Sequence, residues 1–571
     1  MKKQAFNPYL PSYEYVPDGE PHVFGDRLYI YGSHDKFNGK RFCENDYVAW
    51  STPVDNLADW RYEGVIYKKT QDIDNANGDK VMYAPDVARG VDGKYYLYYG
   101  LENDNKIGVA VCDSPAGEYH FLGCVQDKNG EYWGRRPQDF MPFDPGILVD
   151  NGRVYLYAGQ GPMMEKMAKS EYKRHFRDSS YFVELETDML TMKQEPVRLL
   201  PNIMDSAGTG FENHEFFEAN SIRKFDDKYY FIYSSVQSHE LCWAVSDRPD
   251  GDFTYGGVLT SNGDVGPLGF TSTKSYAKPL GYEVKNYIGN NHGSVEKVKD
   301  RYYVFGHRHT ARNMFSRQGY AEEIKFKNGK FEYAELTSCG LNDGPLMGVG
   351  EYEARIACHL YSKKGPTWSA HKLVQNKEHP AFMQDGLDRE DNPNQYIQNM
   401  KDGAVAGFRY FDFENYEPDS ISVKIRGKAN GYFYIYDDAD KKNILGKIAI
   451  VVNDKKNFCC VKDSLTVPKK NSALYFEYKG KGYLDFYSFE LKQMFIHITK
   501  EPNVMAQGMS WIKTNMKLAM NTSDETLAEL MTDGCNMGVK SLSRYLNQYK
   551  AADDRAKAIT KKLINFSVFV V

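Results

Sequence analysis

The chain has 571 residues, a formal net charge of −5 and a pI of about 6.3. This length predicts two or three domains rather than a single core. The near balance of charge argues against the basic surface of a nucleic-acid-binding protein, so no nucleic-acid partner is expected. The 9 cysteines form no CxxC pair, which argues against a disulfide framework or a thiolate zinc site.

The N-terminus begins with Met1, Lys2 and Lys3, but no apolar segment follows them. A secretory signal peptide is therefore not predicted. The sequence contains no apolar run of about 18 residues, so no membrane span is predicted. We expect a cytoplasmic protein; its oligomeric state is not predicted.

A tyrosine-rich strand motif recurs five times between residues 5 and 345, with its aligned positions at Tyr29, Tyr96, Tyr155, Tyr230 and Tyr303. Each repeat holds several short β-type segments separated by Gly, Asn and Asp. The pairs Asp92-Gly93 and Asn151-Gly152 are typical of tight hairpins. A β-unit repeated in this way predicts a β-propeller with one blade for each repeat.

One acidic or histidine residue stands ten to twelve positions before each aligned tyrosine: Asp18, Asp86, Asp144, Glu218 and His292. Because the innermost strands of a propeller converge on its axis, these side chains are predicted to meet there. Carboxylates gathered in one cleft repel one another, and such clusters are more often functional than incidental.

The repeat pattern ends near residue 350, and a second β-rich segment follows. Alternation at period two over residues 365–495 predicts an antiparallel, jelly-roll-like β-sandwich. Residues 505–566 predict a short helical tail without an assigned role, which includes a capping-box spacing from Thr522 to Glu525. The fold class is therefore all-β: a five-bladed β-propeller over 5–345, the β-sandwich, and the C-terminal helical segment.

Cleavage of a glycosidic bond uses two carboxyl groups that flank the anomeric carbon. One must be protonated to assist the departing oxygen, and the other must be ionised. A third carboxylate nearby raises the pKa of the acid through like-charge repulsion. Asp18, Asp144 and Glu218 on separate blades supply such a set.

The ordered motifs resemble glycoside hydrolase family 43 across all five repeats. They are Asn7-Pro8 and Pro17-Asp18-Gly19, Tyr83-Ala84-Pro85-Asp86, Phe143-Asp144-Pro145, Phe217-Glu218-Ala219-Asn220, Asn291-His292-Gly293 and Ser316-Arg317-Gln318. The resemblance implies an inverting mechanism, with Asp18 as general base, Glu218 as general acid and Asp144 as the carboxylate that tunes the acid. Neighbouring carboxylates compete for two of these roles: Glu20 for the base, and Glu212 and Glu215 for the acid.

The resemblance also implies a set of substrate-binding residues. Tyr83 and Phe143 would form aromatic walls of the terminal subsite, and Asp86 would be a supporting acceptor near the sugar. Arg317 would contact the sugar hydroxyls or the surroundings of the acid. His292 would organise water or a calcium ion on the axis. The structural alternatives are a turn or cap residue for Asp86, a hydrogen-bonded core histidine for His292, and plain core for the two aromatic residues.

We therefore predict an exo-acting glycosidase that removes terminal β-D-xylose or α-L-arabinofuranose from plant-derived oligosaccharides. No cofactor is required, although a structural Ca²⁺ would suit the axis. A retaining fructan-cleaving propeller is one alternative, but its Asn-Asp-Pro-Asn-Gly, Arg-Asp-Pro and Glu-Cys motifs are absent. A non-catalytic sugar-binding propeller is the other, and the complete carboxylate trio argues against it. The 365–495 segment resembles family 6 carbohydrate-binding modules and would bind sugar or buttress the propeller.

Overall fold

The computed structural model describes residues 4–163, 177–272, 277–281, 283–365, 367 and 376–493. Regular structure in these ranges is β-strand apart from two 3-10 turns, Lys69–Gln71 and Ala354–Ile356. Over the same ranges, no helix has the length and apolarity that a bilayer crossing requires. The predicted helical tail, 505–566, lies outside the described residues.

Five antiparallel sheets follow one another along the chain, as the repeats predict. Each of the first four has four strands, and the fifth has three and is flanked by two short hairpins. The strands are β1 (Glu20–Phe24), β2 (Arg27–Tyr31), β3 (Tyr47–Pro53) and β4 (Arg61–Tyr67) in blade 1; β5 (Asp86–Arg89), β6 (Tyr95–Leu101), β7 (Asp104–Cys112) and β8 (His120–Cys124) in blade 2; β9 (Gly146–Asp150), β10 (Arg153–Gly159), β11 (Ser180–Leu185) and β12 (Val197–Arg198) in blade 3; β13 (Phe216–Phe225), β14 (Lys228–Ser235), β15 (Leu241–Ser246) and β16 (Thr254–Thr260) in blade 4; the hairpin β17 (Phe270–Ser272) and β18 (Ala277–Pro279); β19 (Val295–Val298), β20 (Arg301–His309) and β21 (Arg317–Ile324) in blade 5; and the hairpin β22 (Phe326–Lys327) and β23 (Lys330–Phe331).

The second strand of each blade explains the tyrosine repeat. In β6, Tyr96 and Tyr98 pack toward blade 3, whereas Leu97 and Tyr99 pack toward blade 1. Alternate side chains of a strand point to opposite faces, so these strands are buried on both sides. One apolar cluster fills the space between each pair of adjacent blades, including the pair that joins blade 5 to blade 1.

Tight turns join the first two strands of the blades. Asn151 and Gly152, between β9 and β10, have φ angles of 50° and 77°. A type I′ turn requires a positive φ at both central residues, which Asn and Gly tolerate best. The hairpin predicted at this dipeptide is therefore confirmed.

A bridge between Gly19 and Gly293 closes the ring at the axis, since it pairs blade 1 with blade 5. The segment before β1 reinforces this closure. The Asn7 side-chain amide donates to the Ala321 carbonyl (2.9 Å) and to Glu322 Oε1 (2.8 Å) in β21. The N-terminal segment is thus fastened to the last blade.

The second domain is a nine-stranded sheet that packs around one large apolar cluster. It begins at Leu346 rather than at residue 365, because three short strands of 346–361 pair with later strands of this sheet. These strands are too short to show an alternating pattern in sequence. The strands are β24 (Leu346–Met347), β25 (Gly350–Glu353), β26 (His359–Tyr361), β27 (Ala381–Gln384), β28 (Gln395–Met400), β29 (Ala404–Asp412), β30 (Ser420–Tyr436), β31 (Ile444–Ser464) and β32 (Ser472–Lys492).

The propeller and the second domain belong to one compact unit, Gln4–Met494. A buried polar contact joins them at Asp264 of the propeller, which accepts hydrogen bonds from Arg409 Nη2 (2.6 Å) and is paired with His359 Nε2 (2.7 Å). Burial raises the pKa of Asp264, but His359 and Arg409 outweigh it and lower the pKa to about 2. The carboxylate is therefore ionised, and the second domain is held to the propeller by charged hydrogen bonds.

Candidate active site

The predicted axial residues lie at one end of the innermost strands. Asp18, Asp144 and His292 stand just before β1, β9 and β19, and Asp86 opens β5. Glu218 lies within β13, next to a register shift in its pairing with β14. Four of the five lie close enough for their charges to interact, namely Asp18, Asp144, Glu218 and His292. The convergence predicted from the repeats is therefore present for these four residues.

Asp18 is held at one carboxylate oxygen and open at the other. Arg317 Nη1 donates to Oδ1 (2.9 Å), while Oδ2 has no protein donor among the described residues. Burial raises the pKa of Asp18, but the Arg317 guanidinium and the His307 imidazole outweigh it and hold the pKa far below its ordinary range. Its φ of 56° places it in a left-handed conformation that is uncommon outside Gly, Asn and Asp and often marks functional sites. An ionised carboxylate with one open oxygen is suited to accept a proton from water.

Glu20, the competing candidate for the base, is enclosed instead. Its Oε2 accepts hydrogen bonds from Arg223 Nη2 (2.8 Å) and Ser221 Oγ (3.0 Å). Its Oε1 is sealed from solvent, and the whole residue is only 1% exposed. These contacts favour a structural role for Glu20, so the geometry favours Asp18 as the base.

Asp144 lies in a turn with a positive φ, and residues of blade 4 donate hydrogen bonds to this turn. Its φ is 46°, and its Oδ2 accepts a hydrogen bond from the Ala219 backbone N–H (3.2 Å). The Asn220 side-chain amide donates to the carbonyls of Phe143 (3.0 Å) and Asp144 (2.9 Å). Burial raises the pKa of Asp144 to about 6, with His292 opposing the shift and the charges of Glu218 and Asp18 adding to it.

Glu218 is partly open, with 16% of its side chain exposed. Gln160 Nε2 donates to its Oε2 (2.6 Å), and His239 Nδ1 lies 3.4 Å from its Oε1. Burial raises the pKa of Glu218, but His239 and Gln160 outweigh it and leave the pKa lowered. Like-charge repulsion between Asp144 and Glu218, expected from the sequence, is present and raises the pKa of the acid. In the protein without substrate, His239 and Gln160 stabilise the ionised form of Glu218 more strongly, so its net pKa is lowered.

The two other glutamates of this segment are hydrogen-bonded to residues outside the axial group. Glu215 Oε1 accepts a hydrogen bond from Ser206 Oγ (2.9 Å), and its Oε2 is sealed. Glu212 accepts from the backbone of the loop that includes Gly208. Of the three candidates, Glu218 is the one whose charge interacts with that of Asp144.

His292 lies between two carboxylates, with Nδ1 3.6 Å from Asp144 Oδ2 and Nε2 3.7 Å from Glu20 Oε1. Burial lowers its pKa, but these carboxylates outweigh burial and hold the pKa well above its ordinary value. Calcium takes roughly six to eight oxygen ligands. Asp144 and Glu20 are the carboxylates within 4 Å of His292 among the described residues, and Glu20 is already bound to Arg223, so these residues do not fit a directly bound calcium ion.

Asp86 is fully buried, with its carboxylate between residues of blades 1 and 3. Its Oδ1 is paired with His22 Nε2 (2.6 Å), and its Oδ2 accepts from the Ile147 backbone N–H in blade 3 (2.8 Å). Both oxygens are therefore used within the protein. These contacts favour the structural role that the sequence left open for Asp86 over a contact with the sugar. A sequence motif can place a carboxylate near the axis, but it does not show which groups hydrogen-bond to that carboxylate.

Two aromatic rings border Asp144. The rings of Tyr83 and Phe143 are both partly exposed, and their centroids are 5.3 Å apart. This arrangement fits the predicted apolar wall. Arg317 is placed on Asp18 and Asp35, so it serves the surroundings of the predicted base rather than those of the acid.

Sequence reasoning missed Asp35, Gln160, His239 and His307, which contact the axial carboxylates directly or through Arg317. Asp35, Gln160 and His239 follow the C-terminal end of a second strand, and His307 lies two residues before the end of β20. Because the first two strands of a blade are antiparallel, that end lies beside the start of the first strand. A search for polar residues near the C-terminal end of the second strand in each repeat would have identified these four residues.

Comparison with known proteins gives consistent matches. A family model described as glycosyl hydrolases family 43 matches residues 16–331. A protein of Thermoclostridium stercorarium named xylosidase/arabinosidase is 47% identical over 494 residues, which are 86% of this chain and 99% of that protein. One of the same name from Bacteroides ovatus is 30% identical over 324 residues, 52% of this chain and 87% of that protein. A solved family 43 arabinoxylan arabinofuranohydrolase of Bacillus subtilis, in complex with cellotetraose, is 18% identical and has a TM-score of 0.42, with 85% of this chain and 97% of that chain covered.

Proposed function

The chain belongs to glycosyl hydrolase family 43, and we propose that it is an inverting exo-glycosidase that removes terminal β-D-xylose or α-L-arabinofuranose from plant-derived oligosaccharides. The observation that carries this proposal is the meeting of Asp18, Asp144 and Glu218 around His292, with one oxygen of Asp18 left open. The pentose preference is supported by the name xylosidase/arabinosidase of the relative that is 47% identical.

Asp18 acts as the general base in this proposal. It accepts a proton from the water that attacks the anomeric carbon, through the oxygen that Arg317 leaves open. Arg317 fixes the other oxygen and keeps the carboxylate ionised at neutral pH. The base is therefore available before substrate arrives.

Glu218 donates the proton to the departing oxygen. Its pKa is lowered in the free protein by His239 and Gln160, so substrate binding has to raise it. A sugar that excludes water from the site increases the cost of the ionised form. The adjacent charge of Asp144 acts in the same direction, which is the tuning role that the resemblance implies.

Activity and stereochemistry test the proposal together. The purified protein is expected to hydrolyse 4-nitrophenyl β-D-xylopyranoside, 4-nitrophenyl α-L-arabinofuranoside or both, and to release the first-formed sugar with inverted anomeric configuration by NMR. Retention of configuration would contradict the mechanism. A folded protein that binds xylo-oligosaccharides but hydrolyses neither substrate would support the non-catalytic alternative instead.

Replacing Asp144 by asparagine is expected to move the alkaline limb of the kcat/KM profile to lower pH. Asp144 is next to Glu218, and its negative charge disfavours ionisation of the acid. Removing that charge lowers the pKa of the acid, so the protonated form is lost at a lower pH. A pH–rate profile measures the shift, and an alkaline limb that stays in place would leave Asp144 a purely structural role.

We propose that hydrolysis needs no divalent cation, because His292 and Arg223 supply positive charge on the axis. Dialysis against EDTA is expected to leave kcat/KM within about twofold of its starting value, since general acid–base catalysis by carboxyl groups uses no metal. Loss of activity that added Ca²⁺ restores would contradict this.

A further inference from the structure

The second domain contacts the segment that supports the predicted base. Asp388 lies in the loop between β27 and β28 of that domain. Its Oδ1 accepts a hydrogen bond from the Phe37 backbone N–H (2.7 Å), and its Oδ2 accepts one from Asn45 Nδ2 (3.3 Å). Phe37 and Asn45 belong to the loop between β2 and β3 of the propeller. One carboxylate therefore joins two points of that loop.

Asn45 and its neighbours hold Asp35 in turn. The Asn45 side-chain amide also donates to the Asp35 carbonyl (3.0 Å), and the Cys43 backbone N–H donates to Asp35 Oδ1 (3.0 Å). Asp35 is fully buried, so its position depends on these contacts. The loop from His34 to Asn45 is thus fixed around the Asp35 carboxylate.

Asp35 orients Arg317. It accepts from Arg317 Nε (2.8 Å), from Nη2 (3.0 Å) and from the Arg317 backbone N–H (3.0 Å), which leaves Nη1 for Asp18 (2.9 Å). The Phe42 ring of the same loop lies 4.7 Å from the guanidinium carbon. A planar guanidinium that is bound along one edge has little freedom at the other. Asp35 therefore fixes the position of Arg317 Nη1, which donates to Asp18.

Arg389 adds a second arm from the same loop of the second domain. It donates to Glu14 Oε1 and lies 3.1 Å from His34 Nε2, while Glu14 Oε2 accepts from Trp50 Nε1 (2.8 Å). Burial raises the pKa of Glu14, but His34 and Arg389 outweigh it and lower the pKa to about 2. His34 directly precedes Asp35, so the contacts of Arg389 also hold the loop that contains Asp35.

We propose that Asp388 of the second domain is a positioning residue for the active site. It acts on Asp18 through the loop 34–45, Asp35 and Arg317, so the second domain maintains the geometry of the base. This inference rests on the proposed function, because it assigns a consequence for the hydrolysis that Asp18 supports.

The test is Asp388→Ala in the full chain, assayed on the better aryl pentoside. Loss of the anchor is expected to lower kcat by about 10- to 100-fold with KM changed little, because small misplacements of catalytic groups have effects of this order. A looser Arg317 also stabilises the ionised Asp18 less, so the pKa of Asp18 rises. Asp18 is then protonated at a higher pH, so the acid limb of the pH–kcat profile moves to higher pH.

Asp402→Ala is the matched control. Asp402 also accepts from one backbone N–H, that of Gly480 (3.2 Å), and from one side chain, Lys363 Nζ (3.1 Å), but both partners lie within the second domain. It is expected to keep the wild-type rate and profile. Where Asp388→Ala fails to fold by circular dichroism, Asp388→Asn replaces it, since the amide keeps one acceptor for Phe37.

The outcomes separate the two proposals. A wild-type protein without pentosidase activity overturns the proposed function. An active wild type whose Asp388 variant is folded and has an unchanged kcat and acid limb overturns the positioning role alone. Equal losses in the Asp388 and Asp402 variants would also overturn it, because they would show a general effect of weakening the second domain.

Discussion

Replacing Asp18 by asparagine is expected to lower kcat on every pentoside by about 10²- to 10⁴-fold, the usual effect of removing a general base. Asparagine has the same size and keeps an acceptor for Arg317 Nη1, so the fold should survive. The amide has no basic oxygen that can take the proton from water. Steady-state rates on two aryl pentosides, with circular dichroism as a check on folding, measure the effect.

Glu20→Gln is the matched comparison for this experiment. Glu20 is buried and paired with Arg223, and breaking a buried ion pair costs about 3–5 kcal/mol of stability. We expect urea unfolding at lower concentration but a rate that stays far above that of Asp18→Asn. A folded and inactive Glu20→Gln protein next to an active Asp18→Asn protein would reassign the base to Glu20.

The propeller could be predicted from the sequence because every blade needs the same pattern of apolar residues in its second strand. Its second strand is buried between two neighbours, so residues such as Leu97 and Tyr98 are apolar on both faces. Sites that must approach the axis recur at one place in each repeat, as Asp18 and Asp144 do. The periodicity of the sequence therefore predicts both the propeller and the axial residues of the candidate site.

The rest of the site depends on contacts between residues far apart in sequence. Asp388 and Arg389 of the second domain reach Phe37 and Glu14 of the propeller. No spacing within a repeat encodes these pairs. The partners of Asp86 could not be predicted for the same reason, because His22 and Ile147 come from neighbouring blades.

Replacing Glu218 by alanine is expected to affect substrates with basic leaving groups most strongly. A general acid matters little when the departing oxygen is already stable as an anion, and it matters greatly for a sugar alkoxide. Hydrolysis of a natural disaccharide such as xylobiose should fall by about 10²- to 10⁴-fold, whereas that of an aryl pentoside with an acidic phenol should fall by about tenfold or less. A series of aryl pentosides of graded phenol pKa measures the dependence.

Glu215→Ala serves as the control, because Glu215 lies on the same segment but its carboxylate accepts a hydrogen bond from Ser206. It should change all substrates by the same modest factor. In the Glu218 variant, log kcat should fall steeply with the pKa of the leaving phenol, since bond cleavage now proceeds without proton donation. Equal losses on xylobiose and on the activated aryl substrate would remove Glu218 from the acid role. A steep dependence in the Glu215 variant instead would assign that role to Glu215.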